Sequence, residues 1–145
     1  MALLELTNIT AGYDKNVILK NLNLQVEKGE LLSLLGSSGC GKTTTLRLIA
    51  GFSSPMEGTF LFNGKDYTHM PLHKRNFGFV FQSYALFPHM SIYDNVAFGL
   101  KMRGCDSASM KKQVMEALEL VDLNGYETRY PKELSGGQRQ RVALA

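Results

Sequence analysis

Apolar and polar positions alternate early in the chain at the two-residue period of β-strands. Leu4, Leu6 and Ile9, with Thr7 and Asn8 among them, mark one strand, and Leu22, Leu24 and Val26 alternate with Asn23 and Gln25 in a half-buried second. Together they predict an N-terminal antiparallel layer. Glu30 to Leu35 is a mostly apolar run of the kind found in a strand buried on both faces, and Lys42 to Ala50 carries Leu46, Ile49 and Ala50 at helical spacing before Gly51 stops it. Ser53-Ser54-Pro55 then breaks the chain, Thr59 to Phe62 reads as another strand, and Asn63-Gly64 is a hairpin turn. Phe77 to Phe81 is a further apolar strand ending at Gln82. From about Ser91 to Leu123 the period becomes helical: Val96 and Leu100 mark one helix, and Met110, Val114, Leu118 and Val121 mark a second that ends at Asn124-Gly125. The pattern predicts an α/β chain, a mixed core followed by a helical insertion, without internal repeats.

The segment joining the run 30–35 to the helix at Lys42 carries the chemistry. Gly36-Ser37-Ser38-Gly39-Cys40-Gly41-Lys42-Thr43 fits the pattern G-x-x-x-x-G-K-[ST] without a mismatch, between a predicted strand and a predicted helix. Glycines let such a backbone bend tightly, so that successive N–H groups and the positive end of the helix face the same anion. Lys42 adds a cation for the β- and γ-phosphates, and the Thr43 hydroxyl is placed to ligate Mg²⁺, with Thr44 in the same turn. The bland reading, a glycine-rich turn with no ligand, is disfavoured by the flanking elements.

A second motif lies near the end of the sequence. In Leu134-Ser135-Gly136-Gly137-Gln138, Ser135 and Gln138 have the spacing of a capping box, which predicts a helix from Gly136 to Ala145 whose first N–H groups are bared by two glycines. A helix start of this kind suits an anion, although alone it is equally an ordinary capped surface helix.

With both motifs present, the chain resembles the nucleotide-binding subunit of ATP-binding cassette (ABC) transporters, importer type, with polyamine, phosphonate and ferric-ion importers as the similar branches. The resemblance implies a P-loop NTPase core with an N-terminal antiparallel β layer and a helical insertion. It divides the chain into a nucleotide-binding core at 1–90, a helical subdomain at 91–134 and the signature with the start of its helix at 135–145. It implies that Tyr13, in the turn Ala11-Gly12-Tyr13, stacks on adenine, and that Gly36, Ser37, Ser38, Gly39, Cys40, Gly41, Lys42, Thr43 and Thr44 hold the phosphates of ATP. Gln82 matches the catalytic glutamine that reaches Mg²⁺ and the attacking water, with Thr43 as the other Mg²⁺ ligand from this chain. Leu134, Ser135, Gly136, Gly137 and Gln138 act in trans, on nucleotide held by a second ATP-binding subunit in a head-to-tail dimer.

The same resemblance supplies partners. Ser83 to Met90 looks like the segment that meets the coupling helix of a transmembrane permease subunit, and Asn95 to Leu100 continues the importer-like pattern. The apolar members Tyr84, Leu86, Phe87 and Met90 are either that docking surface or a plug between core and insertion. A solute-binding protein completes such assemblies, and the expected place is cytoplasmic, peripheral on the inner face of the membrane. In the family a strand ending in an Mg²⁺-orienting aspartate, an activating glutamate and a histidine switch follow the signature. The sequence stops at Ala145 before them, so the expectation is a core without its C-terminal strands that binds ATP weakly and does not turn it over.

Composition changes this picture little. A formal charge of +3, from 16 basic and 13 acidic side chains, is too small to argue for nucleic acid. Cys40 and Cys105 lack paired or metal-type spacing, His69, His73 and His89 form no ligand pattern, and no apolar run approaches the roughly 18 residues of a membrane span. A soluble ABC ATPase of DNA repair, the rival from another class, would carry a long coiled coil between glutamine and signature. The stretch 83–133 holds no sustained heptads. A kinase or GTPase sharing only the phosphate loop would lack the signature.

Overall fold

The computed structural model describes residues 2–13 and 16–145. These fall into two compact units, one ending at Phe79 and the other running Val80–Ala145.

The first unit is built on an antiparallel sheet of β1 (Leu4–Tyr13), β2 (Asn16–Val26), β3 (Glu57–Phe62) and β4 (Lys65–Asp66), in the order β2-β1-β3-β4. In the β1–β2 ladder Leu4 faces Val26 and Leu6 faces Leu24, and on the other side of β1 Leu6 faces Phe60. A strict alternation would send Leu6 and Ile9 to opposite faces. Both are buried, because the register shifts between them, where Asn8 takes φ 53° and its N–H donates to Asn23 Oδ1 at 2.9 Å. The bulge turns Ile9 and Ala11 onto the face that holds Leu6. There they pack with Leu19, Leu48 and Phe60, so that helix α1 (Lys42–Ala50) lies on the sheet through Leu48. Asn63 and Gly64 take φ 49° and 74°, the left-handed pair of a type I′ hairpin, and join β3 to β4 as the dipeptide predicts. Phe60, Phe62, Tyr67 and Phe77 form one aromatic cluster, with the Phe62 and Phe77 rings 4.8 Å apart.

Two sequence expectations are corrected here. Neither the run 30–35 nor the run 77–81 is a strand; both are irregular, and Leu31 and Leu35 stand 93% and 90% exposed. A strand is held by hydrogen bonds to a neighbour, and no ladder among the described residues uses either segment. β2 also begins earlier than its alternation suggests, at Asn16. Helix α2 (Leu72–Arg75), a single turn, carries no sequence signal strong enough to predict it.

The second unit contains α3 (Ile92–Met102), α4 (Ser107–Leu120), a 3-10 turn (Pro131–Glu133) and α5 (Gly136–Leu144). Ile92, Ala97, Met110, Val114, Leu118, Leu123, Leu134 and Val142 form its core, with Val96 and Leu100 half-buried beside it. The helix starts are capped by their own sequence: Ser91 Oγ accepts from Asp94 N at 3.0 Å, and Asp106 Oδ1 accepts from Ala108 N and Ser109 N at 3.1 and 3.0 Å.

Candidate nucleotide site and signature helix

α1 starts where its sequence demands a break. Gly41 precedes it at φ 95°, left-handed backbone that a side chain resists, and a Cβ there would lie 2.5 Å from Leu19 Cδ2. No side chain among the described residues caps this start, and its first turn holds no acidic residue. The leading N–H groups of α1 are therefore presented to the loop, where Gly36 to Cys40 are all exposed. Lys42 folds back over that loop: its Nζ donates to the Gly36 carbonyl at 2.8 Å and the Ser37 carbonyl at 2.7 Å, with Cys40 Sγ at 3.4 Å. The two carbonyls carry no charge. An incoming phosphate offers the ammonium a charge-assisted bond, roughly twice as strong as a neutral one, so Lys42 has an electrostatic reason to exchange carbonyls for phosphate. Thr43 is exposed, whereas Thr44 and Thr45 are buried, and Thr45 Oγ1 donates to the Gly41 carbonyl at 3.0 Å.

The structure brings Tyr13 to the same helix. The residue ends β1, is 43% exposed, and its hydroxyl accepts from Arg47 Nη1 at 3.4 Å. That hydrogen bond, with a smaller pull from Thr44, holds the phenol below its ordinary pKa. Arg47 is a contact that sequence reading missed, since nothing in the pattern of α1 links it to a tyrosine at the end of β1. Main-chain N–H groups, the Lys42 ammonium and the exposed Thr43 hydroxyl thus share the N-terminal end of α1, and an exposed aromatic ring lies against the same helix at Arg47. Those donors fit a nucleotide triphosphate with its Mg²⁺.

Gln82 and the signature belong to the other unit. Gln82 is exposed and sits in a turn, not at the end of a strand. After it Tyr84 and Ala85 take φ 64° and 51°, consecutive left-handed positions that cost non-glycine residues free energy and so must be held by their surroundings. Part of the holding is done by Asn95, which sequence reading assigned only to a pattern. Its Oδ1 accepts from Phe87 N at 2.7 Å, and its Nδ2 donates to the carbonyls of Phe87, Met90 and Ser91 at 3.1, 3.2 and 2.9 Å. Leu86 packs against the core of this unit, whereas Phe87 is 37% exposed, with its ring 4.6 Å from that of Phe98.

The capping box forms as its spacing predicts. Ser135 Oγ accepts from Gln138 N at 3.2 Å, and Gln138 Oε1 accepts from Ser135 N at 2.8 Å. Gln138 Nε2 also donates to the Tyr126 hydroxyl at 3.2 Å, and buried Leu134 anchors the residue before the cap. A Cβ added at Gly136 or Gly137 would meet nothing within 4 Å. Internal packing therefore does not demand glycine at either place, and the start of α5 is left open to close approach from outside.

Comparison with known proteins decides the family. The ABC transporter family profile, described as "ABC transporter", matches residues 19–145. The chain belongs to the ABC transporter family. It is 54% identical over 143 residues to the spermidine/putrescine import ATP-binding protein PotA of Spiroplasma citri, covering 99% of this chain and 41% of that protein. It is 52% identical over 141 residues to the Fe(3+) ions import ATP-binding protein FbpC of Escherichia coli K12, covering 97% and 40%. The chain thus spans about two fifths of the length of these relatives. A dimeric ATP-binding cassette solved in a post-hydrolysis state with ADP and Pi superposes with a TM-score of 0.87 at 33% identity, over 97% of this chain and 67% of that one. The architecture is accordingly the mixed α/β fold of an ABC cassette.

Proposed function

We propose that this chain is the nucleotide-binding part of the ATP-binding subunit of an ABC importer, and that it binds Mg-ATP at the N-terminal end of α1. The observation that carries the reading is the uncapped start of α1 with Lys42 held over an exposed glycine loop by the Gly36 and Ser37 carbonyls and no carboxylate. Gly36 to Thr44 take the phosphates, the Thr43 hydroxyl and Gln82 serve Mg²⁺, and the face of Tyr13 takes adenine. Bound Mg²⁺ would offset phosphate charge. The capped, glycine-bared start of α5, Ser135 to Gln138, acts on nucleotide held by a second copy, with buried Leu134 holding it in place. Functionally the chain then divides at residues 90 and 134, into nucleotide core, helical part and signature.

The segment Ser83 to Met90, with Phe87 exposed, is the surface offered to a transmembrane permease subunit. No helix among the described residues is long and apolar enough to cross a membrane. In this reading the subunit works at the cytoplasmic face, in an assembly that includes a solute-binding protein. The names of PotA and FbpC support import as the process, and choice of solute is assigned to the partners.

Equilibrium binding tests the reading. Lys42→Ala should abolish measurable Mg-ATP binding with the fold retained, because the ammonium neutralises phosphate and its present bonds go only to exposed loop atoms. Retention of parental affinity by the folded variant would place the nucleotide elsewhere.

A further inference from the structure

Arg75 is the one buried charged residue among those described, 2% exposed at the end of α2. Its guanidinium reaches main-chain carbonyls: Nε donates to Met70 O at 2.7 Å, and Nη1 donates to Leu48 O at 2.7 Å and Ile49 O at 2.8 Å. Leu48 and Ile49 lie in the last turn of α1, whose carbonyls form its negative end; Leu48 O also accepts from the N–H of the capping Gly51 at 3.1 Å and has a second lone pair for the guanidinium. The guanidinium carbon lies 5.4 Å from the centroid of Phe60, over a ring whose face also favours a cation. Burying a charge is expensive, and here the helix end and the ring offset the cost in place of a carboxylate.

The next residue of α1's exit is shaped to this arrangement. Gly51 caps the helix at φ 97°, and a Cβ on it would come within 2.7 Å of Arg75 Nε and 3.1 Å of Cζ. Glycine at 51 thus serves the turn and the guanidinium together. The clamp holds the C-terminal end of α1, the end opposite the phosphate loop. A nine-residue helix is about 13 Å long, so a pivot of roughly 5° at one end moves the other by about 1 Å. Such a displacement is large for a site that works by aiming N–H groups and Lys42 at phosphate oxygens.

Building on the nucleotide reading above, we propose that Arg75 is a positioning residue for the phosphate site: by clamping the Leu48 and Ile49 carbonyls it sets the direction of α1 and hence the aim of its N-terminus. It touches no substrate and acts through the helix. Its effect should therefore scale with the phosphates of the ligand and leave the base untouched.

The test compares the full-length polypeptide with its Arg75→Gln and Arg75→Lys variants, titrated with Mg-ATP, Mg-ADP and adenosine at a temperature where circular dichroism shows each folded. Folded Arg75→Gln should lose on the order of tenfold in Mg-ATP affinity and lose affinity for Mg-ADP, with adenosine unchanged and Arg75→Lys restoring part of the loss. Mg-ATP affinity within about twofold of the parent, or an equal loss for adenosine, would overturn the proposal. If Arg75→Gln does not fold, Arg75→Lys decides: lowered phosphate affinity in a folded protein supports it, and unchanged affinity or loss of folding overturns it in favour of a purely structural clamp. A parent that binds no Mg-ATP removes the nucleotide reading and this inference with it, whereas a binding parent with an equally competent variant removes this inference alone.

Discussion

Two side chains show how local chemistry divides between binding and stability. Tyr13 offers a face and a hydroxyl, and the hydroxyl is already engaged by Arg47. If the face stacks on adenine, Tyr13→Ala should weaken Mg-ATP by about 1–3 kcal/mol, whereas Tyr13→Phe keeps the stack and should bind nearly as the parent does. Equal losses in titration calorimetry would assign the role to the hydroxyl. Asp94, at the start of α3, accepts from Lys101 Nζ at 2.7 Å and from Ser91 Oγ at 2.8 Å, and these bonds hold its carboxyl below the ordinary range. Because the folded pKa is the lower one, its stabilising contribution is present above the unfolded carboxylate value, near pH 4, and is lost as pH falls through the folded value. Asp94→Asn should flatten the acid limb of Tm against pH. At neutral pH the lost ion pair should cost no more than about 1 kcal/mol, since both partners are substantially exposed. An unchanged acid limb would show that the pair contributes nothing.

At the scale of elements, the segment proposed to face the permease is a strained loop held by a helix. Tyr84 and Ala85 are left-handed, and Asn95, one turn into α3, makes four hydrogen bonds to the main chain of Phe87, Met90 and Ser91. Asn95→Ala removes the clamp without touching the phosphate loop. Mg-ATP binding should stay parental, the helical unit should lose about 1–3 kcal/mol, and affinity for the proposed permease partner should fall. A binding assay against the membrane subunits checks it, and undiminished affinity would mean the loop keeps its shape without Asn95. The asparagine was visible in the sequence. Its role was not, because the four atoms it bonds converge only once the loop folds back onto α3.

At the scale of the molecule, the start of α5 is the feature that looks outward. Gly136 and Gly137 are glycines without an internal reason, beside a serine that already caps the helix. Ser135→Asp keeps a good cap but sets a carboxylate where a partner's nucleotide phosphates would come. Full-length protein carrying it should bind Mg-ATP as a monomer and fail to form ATP-driven dimers in sedimentation. Undiminished dimers would remove the signature from the interface. The first unit, described by itself, carries an apolar groove of about 330 Å³ lined by Leu46, Ile49, Phe62, Phe77 and Phe79.

Features whose hydrogen bonds close within a few residues were determined by the sequence itself. Asn63-Gly64 made its hairpin, Ser135 and Gln138 capped each other, and Gly51 ended α1. The two motifs also sufficed to identify the family. What depended on distant neighbours was decided only in the tertiary structure. The apolar runs 30–35 and 77–81 have strand composition, but strands need partners, and none of the described ladders reaches them. The bulge at Asn8, which brings Leu6 and Ile9 to one face, is set by Asn23 across the sheet. Nothing in the sequence singles out Arg75 within His73-Lys74-Arg75. Only the folding of β3 and the exit of α1 around it makes that arginine a buried clamp, because the carbonyls and the ring that stabilise its charge come from other elements.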